Sequence, residues 1–344
     1  MPRFRTHLAG ITPYRSARDE FEGEASIFLD ANENPYAPQW DEPYHRYPDP
    51  HHERLRTALS EWLAVPPEQI MCGAGSDELI DWLIRVTCEP FRDALLTLTP
   101  SYGVYATYGR LHGALVREVQ LSADFDLPVE ALLHAASDST PIAFLCRPNN
   151  PTGTFWPVEK VKAFLDQFHG WAVLDEAYVE FSSDPSGWLP HRRPGTILLR
   201  TFSKAWGMAG WRLGYAIADE EVVSLFYRTK LPYNLSAPAQ EAGIRVIRRW
   251  SAIAPYVQQI REERARLAQI LSELPWVDRV YPSEANFLLV RLPNAMKVYH
   301  ALLQRGIVTR YRGTLPLCED TIRITVGTTE ENDRLIETLC AIFS

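Results

Sequence analysis

The chain has 344 residues, a formal net charge of −8, and 46% hydrophobic against 23% charged residues. That composition excludes wholesale disorder. The acidic balance argues against a nucleic-acid partner, and no apolar run approaches the roughly 20 residues of a membrane helix, so no membrane association is expected. Of the 35 cations only five are lysines (Lys160, Lys162, Lys204, Lys230 and Lys297), so chemistry that needs an amine has few candidates. The five cysteines form no Cys-x-x-Cys pair and suit a reducing compartment, so a cytoplasmic location is expected and no zinc site or disulfide framework is. The N-terminus lacks the apolar stretch of a secretory signal.

Up to about residue 45 the chain is rich in Pro, Asn and aromatics and reads as an ordered arm or lid. From His52 to Ala64, Leu55, Leu59, Trp62 and Leu63 mark one helical face. Short apolar runs follow at Ala94–Leu98, Leu115–Val119, Ile142–Cys146, Trp171–Leu174, Ile197–Leu199 and Leu213–Ala218. Helical patterns lie between them near 76–88, 101–112, 128–136 and 157–168. This alternation predicts an α/β fold with a mostly parallel central sheet covered on both faces. Residues 239–273 read as long and helical, rich in Arg and Glu. A smaller α+β unit follows, with strands at 286–292, near 307–310 and at 321–326, and helices near 294–304 and from about 329. Pro232 and Pro238 punctuate the junction. The expected organisation is an arm over 1–45, a large domain over 46–235 and a small domain over 236–344.

The motifs sit at predicted strand ends. Thr201-Phe202-Ser203-Lys204 follows one strand and enters Gly207-Met208-Ala209-Gly210. A lysine among hydroxyls and small residues is placed to form a Schiff base with an aldehyde cofactor; the other reading is a surface charge on a loop. Asp175 closes the strand Trp171–Leu174, which puts a carboxylate at the sheet edge where α/β proteins bind ligands. It serves a cationic ring nitrogen or, more simply, a helix N-cap. Asn149-Asn150-Pro151-Thr152-Gly153 fixes a turn from which an amide can reach a phenolate oxygen. Gly73-Ala74-Gly75-Ser76 precedes a helix whose N-terminus suits an anion, or is simply a capped start. Tyr102 follows another strand and can stack on a flat ring or join the core. Arg212, eight residues after Lys204, suits a phosphate. Arg310 and Arg323 fall at two strand ends of the smaller unit, where they meet an anionic substrate or are plain surface charge.

The order of these features resembles the pyridoxal-phosphate enzymes of fold type I, specifically the class I/II aminotransferases, over essentially the whole chain. Asn150-Pro-Thr-Gly, Asp175-Glu-Ala-Tyr178 and Ser203-Lys204 with Arg212 carry the resemblance. Ile11-Thr12-Pro13-Tyr14, Leu29–Pro35, Arg46-Tyr47-Pro48 and Arg323-Ile-Thr-Val-Gly327 are similar to the histidinol-phosphate aminotransferase branch. The resemblance implies pyridoxal 5′-phosphate bound covalently to Lys204 as the internal aldimine. It implies that Asp175 keeps the pyridine nitrogen protonated, that Asn150 and Tyr178 bond the phenolate oxygen, and that Tyr102 stacks on the ring. Ala74, Gly75, Ser76, Thr201, Ser203 and Arg212 are then expected to hold the cofactor phosphate, Ala74 standing where the family has Asn. Tyr47 is expected to cross to the partner's cofactor in a homodimer. Tyr14, Asn34, Arg310 and Arg323 are expected to meet the small-molecule substrates, a phosphorylated amine and a 2-oxo acid. The implied reaction is ping-pong transamination of histidinol phosphate with 2-oxoglutarate. Threonine-phosphate decarboxylation, aromatic transamination and a non-catalytic regulator on the same fold are the rival readings.

Overall fold

The computed structural model describes residues 2–12, 27–36 and 44–343. Of the expected arm, 13–26 and 37–43 lie outside the described residues, and Tyr14 is among them. The first residues are tied to the body: the Arg5 N–H donates to Val86 O at 2.9 Å, Trp171 Nε1 donates to Arg3 O at 3.2 Å, and Phe4 stacks on Trp171 at 5.0 Å.

The large sheet is built from β1 (Ile70–Gly73), β2 (Ala94–Thr99), β3 (Leu115–Gln120), β4 (Ile142–Cys146), β5 (Trp171–Asp175), β6 (Thr196–Thr201) and β7 (Gly214–Ile217). Their order is β1-β7-β6-β5-β4-β2-β3. Neighbours from β6 through β3 run parallel, whereas β7 is antiparallel to both β6 and β1. Every residue of β4, β5 and β6 is buried, as expected of central strands covered on both faces. Their sequences therefore contain the apolar runs Ile142–Cys146, Trp171–Leu174 and Ile197–Leu199, whereas the edge strand β3 is buried nowhere.

Helices α1 (Glu53–Leu63), α2 (Ser76–Thr87), α3 (Val104–Leu111), α4 (Val129–Ala135), α5 (Val158–Leu165), α6 (Glu220–Thr229) and α7 (Ala237–Ile247) accompany the sheet. One face packs against a cluster containing Leu59, Leu145, Phe164, Leu174 and Leu198, the other against one containing Leu79, Leu83, Phe144, Val173 and Phe226. Each such buried side chain contributes about 1.5–3 kcal/mol relative to exposure.

A second, four-stranded antiparallel sheet has the order β10-β11-β9-β8, from β8 (Arg279–Val280), β9 (Phe287–Arg291), β10 (Arg310–Tyr311) and β11 (Thr321–Thr325). Helices α8 (Trp250–Glu273), α9 (Ala295–Gln304) and α10 (Thr329–Phe343) supply its apolar cover through Leu267, Leu302 and Leu335.

Four details differ from the sequence reading. Residues 239–273 form two helices, α7 and α8, broken at Arg248-Arg249. The strand expected near 307–310 is only Arg310–Tyr311. The two-residue strand β8 is too short to show a period. Helix α6 was not anticipated, although Val222, Val223, Leu225 and Phe226 are its buried residues. Among the described residues no helix is long and apolar enough to cross a membrane, and no His/Cys/Asp/Glu group could hold a metal ion.

One close approach joins the two halves of the site. A Cβ on Gly214, at the start of β7, would lie 2.5 Å from the Ser76 backbone nitrogen and 2.6 Å from Gly75 C. Backbone cannot move aside as a flexible side-chain tip can. Gly214→Ala is therefore expected to lower the unfolding free energy by about 1–3 kcal/mol, the usual cost of overpacking. Gly103→Ala, with nothing within 4 Å of the added atom, should leave it within about 0.5 kcal/mol. Chemical denaturation of both variants measures this.

Candidate active site

The carboxyl ends of β1, β2, β4, β5 and β6 face one cavity of about 380 Å³, at the edge where open α/β sheets take their ligands. Ser76, Tyr102, Asn150, Asp175, Tyr178, Thr201, Ser203, Lys204, Arg212, Arg310 and Arg323, all singled out in the sequence, line it.

Asp175 ends β5 and is 2% exposed. Its Oδ2 accepts from Tyr105 Oη at 2.5 Å and its Oδ1 from the Ala177 N–H at 3.1 Å. The second bond is cap-like, but no α-helix follows, only a 3-10 turn at Val179–Phe181. Burial pushes the carboxyl up to about 6 despite both hydrogen bonds. It has no cationic partner among the described residues. Glu176, the next residue, is treated differently: Arg200 Nε and Nη2 donate to its Oε2 at 3.0 and 2.9 Å, and both side chains are buried.

Lys204 follows β6, with its ammonium 5.6 Å from the Tyr178 ring centroid. Burial first, then the nearby Arg323, lower its proton affinity. Asn150 Nδ2 donates to Tyr178 Oη at 3.4 Å, while Asn150 Oδ1 accepts from Arg323 Nη1 at 2.5 Å. Tyr102 donates to Asp77 Oδ1 at 3.0 Å and meets Tyr105 edge-on at 5.5 Å.

Beside them lies a small polar cup. Arg212 has a left-handed backbone, φ 51°, and its guanidinium reaches Asp77 Oδ2 at 3.3 Å, Ala209 O at 3.2 Å and Ser203 Oγ at 3.4 Å. Ser203 Oγ also accepts from Thr201 Oγ1 at 3.1 Å. Gly75 has φ 78°, and a Cβ there would stand 2.7 Å from Arg212 Nη2. The missing side chain leaves room for the guanidinium to lean over the N-terminus of α2, where backbone N–H groups and the helix dipole favour an anion.

The turn differs from expectation in its donors. The Ala74 N–H is taken by Glu78 Oε2 at 2.5 Å, and the Gly75 N–H by Gly73 O at 2.8 Å. Ser76, with Asp77, is what this turn presents to the cavity. Two further expected residues are not among the cavity's lining. Asn34 is exposed and its Oδ1 accepts from the Tyr36 N–H at 3.0 Å. Tyr47 is 51% exposed and stacks on Tyr233 at 4.4 Å.

The cavity also contains residues that sequence reasoning missed: Asp77, Cys146, Ala177 and Arg312 line it, and Tyr105 stands behind Asp175. Arg312 was findable, because residues two apart in an extended strand share a face with Arg310. Tyr105 lies three residues after Tyr102, which is a same-face spacing on a helix.

The arrangement is a cationic cavity with one amine, an anion cup and one buried carboxylate that forms no ion pair among the described residues. A family model described as aminotransferase class I and II matches residues 31–339. The chain belongs to the class I and II aminotransferases. This aminotransferase is 44% identical over 337 residues to a histidinol-phosphate aminotransferase of Cytophaga hutchinsonii, covering 97% of each chain. It is 43% identical over 337 residues to one of Parabacteroides distasonis, covering 97% of this chain and 96% of the relative. Among solved structures it is similar to the histidinol-phosphate aminotransferase of Sinorhizobium meliloti in complex with pyridoxal-5′-phosphate, with TM-score 0.78, 26% identity and coverage of 91% and 90% of the two chains.

The Tyr105–Asp175 bond is testable in the cofactor-free aminotransferase. The folded pKa of Asp175 lies above that of an unfolded aspartate, so ionising it costs stability as pH rises from about 4 to 6. Tyr105→Phe removes a donor to the charged form and raises that pKa further. The variant should lose about 1.5–3 kcal/mol at pH 8, and clearly less at pH 5, where the carboxyl is mostly neutral. A loss independent of pH would remove Asp175 as the partner that matters.

Proposed function

We propose that this aminotransferase uses pyridoxal 5′-phosphate, held by Lys204, to move the amino group of histidinol phosphate to 2-oxoglutarate in a ping-pong cycle. The observation that carries the reading is the meeting, in one cavity, of Lys204, the buried Asp175 and three arginines, Arg310, Arg312 and Arg323, that form no ion pair among the described residues. The full-length likeness to histidinol-phosphate aminotransferases supports the choice of substrate.

The donor set fits the cofactor. Among the described residues Asp175 is a desolvated carboxylate with no ion-pair partner, which a protonated ring nitrogen would supply. The missing side chain at Gly75 lets Arg212 lean over the cup it forms with Ser76, Thr201 and Ser203, a donor set that suits a phosphate, with Ala74 and Gly75 shaping the turn. Asn150 and Tyr178 are assigned to the ring's phenolic oxygen, and Tyr102 to its face. Bound there, the cofactor supplies the electron sink for charge developing at the substrate Cα. Lys204 would hold the cofactor by its aldehyde and, as a free amine, would take and return the proton at the substrate Cα. Burial and the nearby Arg323 lower its proton affinity, which favours the free amine over the ammonium. Tyr14, Asn34, Arg310 and Arg323 are assigned to the substrate. The guanidiniums suit both anions that must enter in turn, a phosphate ester and a dicarboxylate.

The working unit on this reading is a homodimer, in which the partner's Tyr47 reaches the cofactor phosphate. Its support is the exposure of Tyr47 and its position outside its own cavity. The domain plan is an arm over 1–45, a cofactor domain over 46–235 and a small domain over 236–344, consistent with one sheet within 70–217 and another within 279–325. The buried thiols of Cys72, Cys88, Cys146 and Cys318 suit a reducing cytoplasm.

Purified protein loaded with the cofactor should absorb near the visible edge, and Lys204→Ala should abolish that band. A half-reaction screen then decides the substrate. Histidinol phosphate should bleach the band faster than phosphothreonine or aromatic amino acids. CO₂ release from phosphothreonine would instead make the enzyme a decarboxylase, and failure of the wild type to bind cofactor would overturn the reading. Arg323→Ala should raise KM for the phosphorylated amine and the oxo acid by roughly tenfold or more each, the scale of a lost charge-assisted pair. An effect on neither returns Arg323 to the surface.

A further inference from the structure

Arg310 of β10 stands directly opposite Arg323 of β11 in the antiparallel register, where like charges repel. The Arg312 N–H donates to Thr321 O at 3.0 Å, so the ladder continues and brings Arg312 onto the same face as Arg310. Arg312 is thereby a diagonal neighbour of Arg323, within reach for long side chains. All three line the cavity, and among the described residues none forms an ion pair. The Nε atoms of Arg312 and Arg323 are buried without a hydrogen-bond partner. Burial, then Arg323 and Arg310, push the Arg312 guanidinium down to about 10. The cavity's two carboxylates are engaged elsewhere, Asp77 with Arg212 and Tyr102, Asp175 with Tyr105.

A monoanion satisfies at most one guanidinium fork, whereas a phosphate monoester carries close to two charges and three acceptor oxygens above its second ionisation. We infer that Arg312 is a specificity residue, the third guanidinium that sets this cavity for a doubly charged phosphate ester over singly charged or uncharged amines. The inference rests on the transamination reading above and names what makes its substrate phosphorylated.

The test compares the cofactor-loaded wild type with Arg312→Gln and Arg312→Lys, using histidinol phosphate, unphosphorylated histidinol and 2-oxoglutarate. Arg312→Gln should raise KM for the phosphate ester about 10- to 100-fold with kcat within about threefold, and leave KM for histidinol unchanged, the scale of one lost charge-assisted bond. Arg312→Lys should recover part of the loss. In the wild type, KM for the ester should fall as pH rises through about 6, where the phosphate becomes a dianion, and Arg312→Gln should flatten that dependence. Equal losses on the phosphorylated and unphosphorylated amines, or an unchanged pH profile, would overturn the inference. Should Arg312→Gln not fold, the Arg312→Lys ratio and the wild-type profile decide alone. A wild type that ignores the phosphate ester entirely would overturn the parent reading instead, so the two failures are distinct.

Discussion

Asp175 is held out of water at the end of β5 by one tyrosine hydroxyl and one backbone N–H, and a carboxylate so placed is an unfinished interaction. Its neighbour shows the contrast. Successive residues of a strand point to opposite faces, and Glu176, on the other face, is closed off by Arg200 and the Trp188 N–H. One buried carboxylate is neutralised within the fold and anchors the strand end. The adjacent one forms no ion pair among the described residues. Buried groups completed internally serve structure, and those left incomplete in a cleft mark chemistry.

The same division governs the charges at large. A chain with net charge −8 gathers five cations and two carboxylates around its cavity. The fold achieves this by bringing two distant segments together. The β6–β7 connection carries Ser203, Lys204 and Arg212, and the β10–β11 pair carries Arg310, Arg312 and Arg323. Such a concentration of one sign in a concave site draws anions toward it and speeds their encounter at low salt.

The central fold was legible because buried parallel strands write themselves as apolar runs, and β4 and β5 appear in the sequence almost to the residue. The small sheet was less so. Two-residue strands such as β8 and β10 have no period to detect, and the break at Arg248-Arg249 carries neither Gly nor Pro. In the site, residues following strand ends were readable from their place in the alternation, Lys204 and Asp175 above all. Tyr105 was hidden because a tyrosine inside a helix looks like core until the strand opposite it is known. Arg312 was hidden among many arginines, since only the β10–β11 register distinguishes it from surface charge. Ala74 and Gly75 were read as free donors, whereas Glu78, one helical turn on, takes the first.

The hydrogen bond from Arg323 to Asn150 ties the second sheet to the turn after β4. Asn150 spends its other end on Tyr178, so one amide spans the boundary between the part of the site that would grip a substrate and the part that would touch the ring. An anion that drew Arg323 Nη1 away from its present partner would release Asn150 Oδ1. On the proposed function, arrival of a substrate and the electronic setting of the ring would then be one mechanical variable, a lever whose fulcrum is a single side chain.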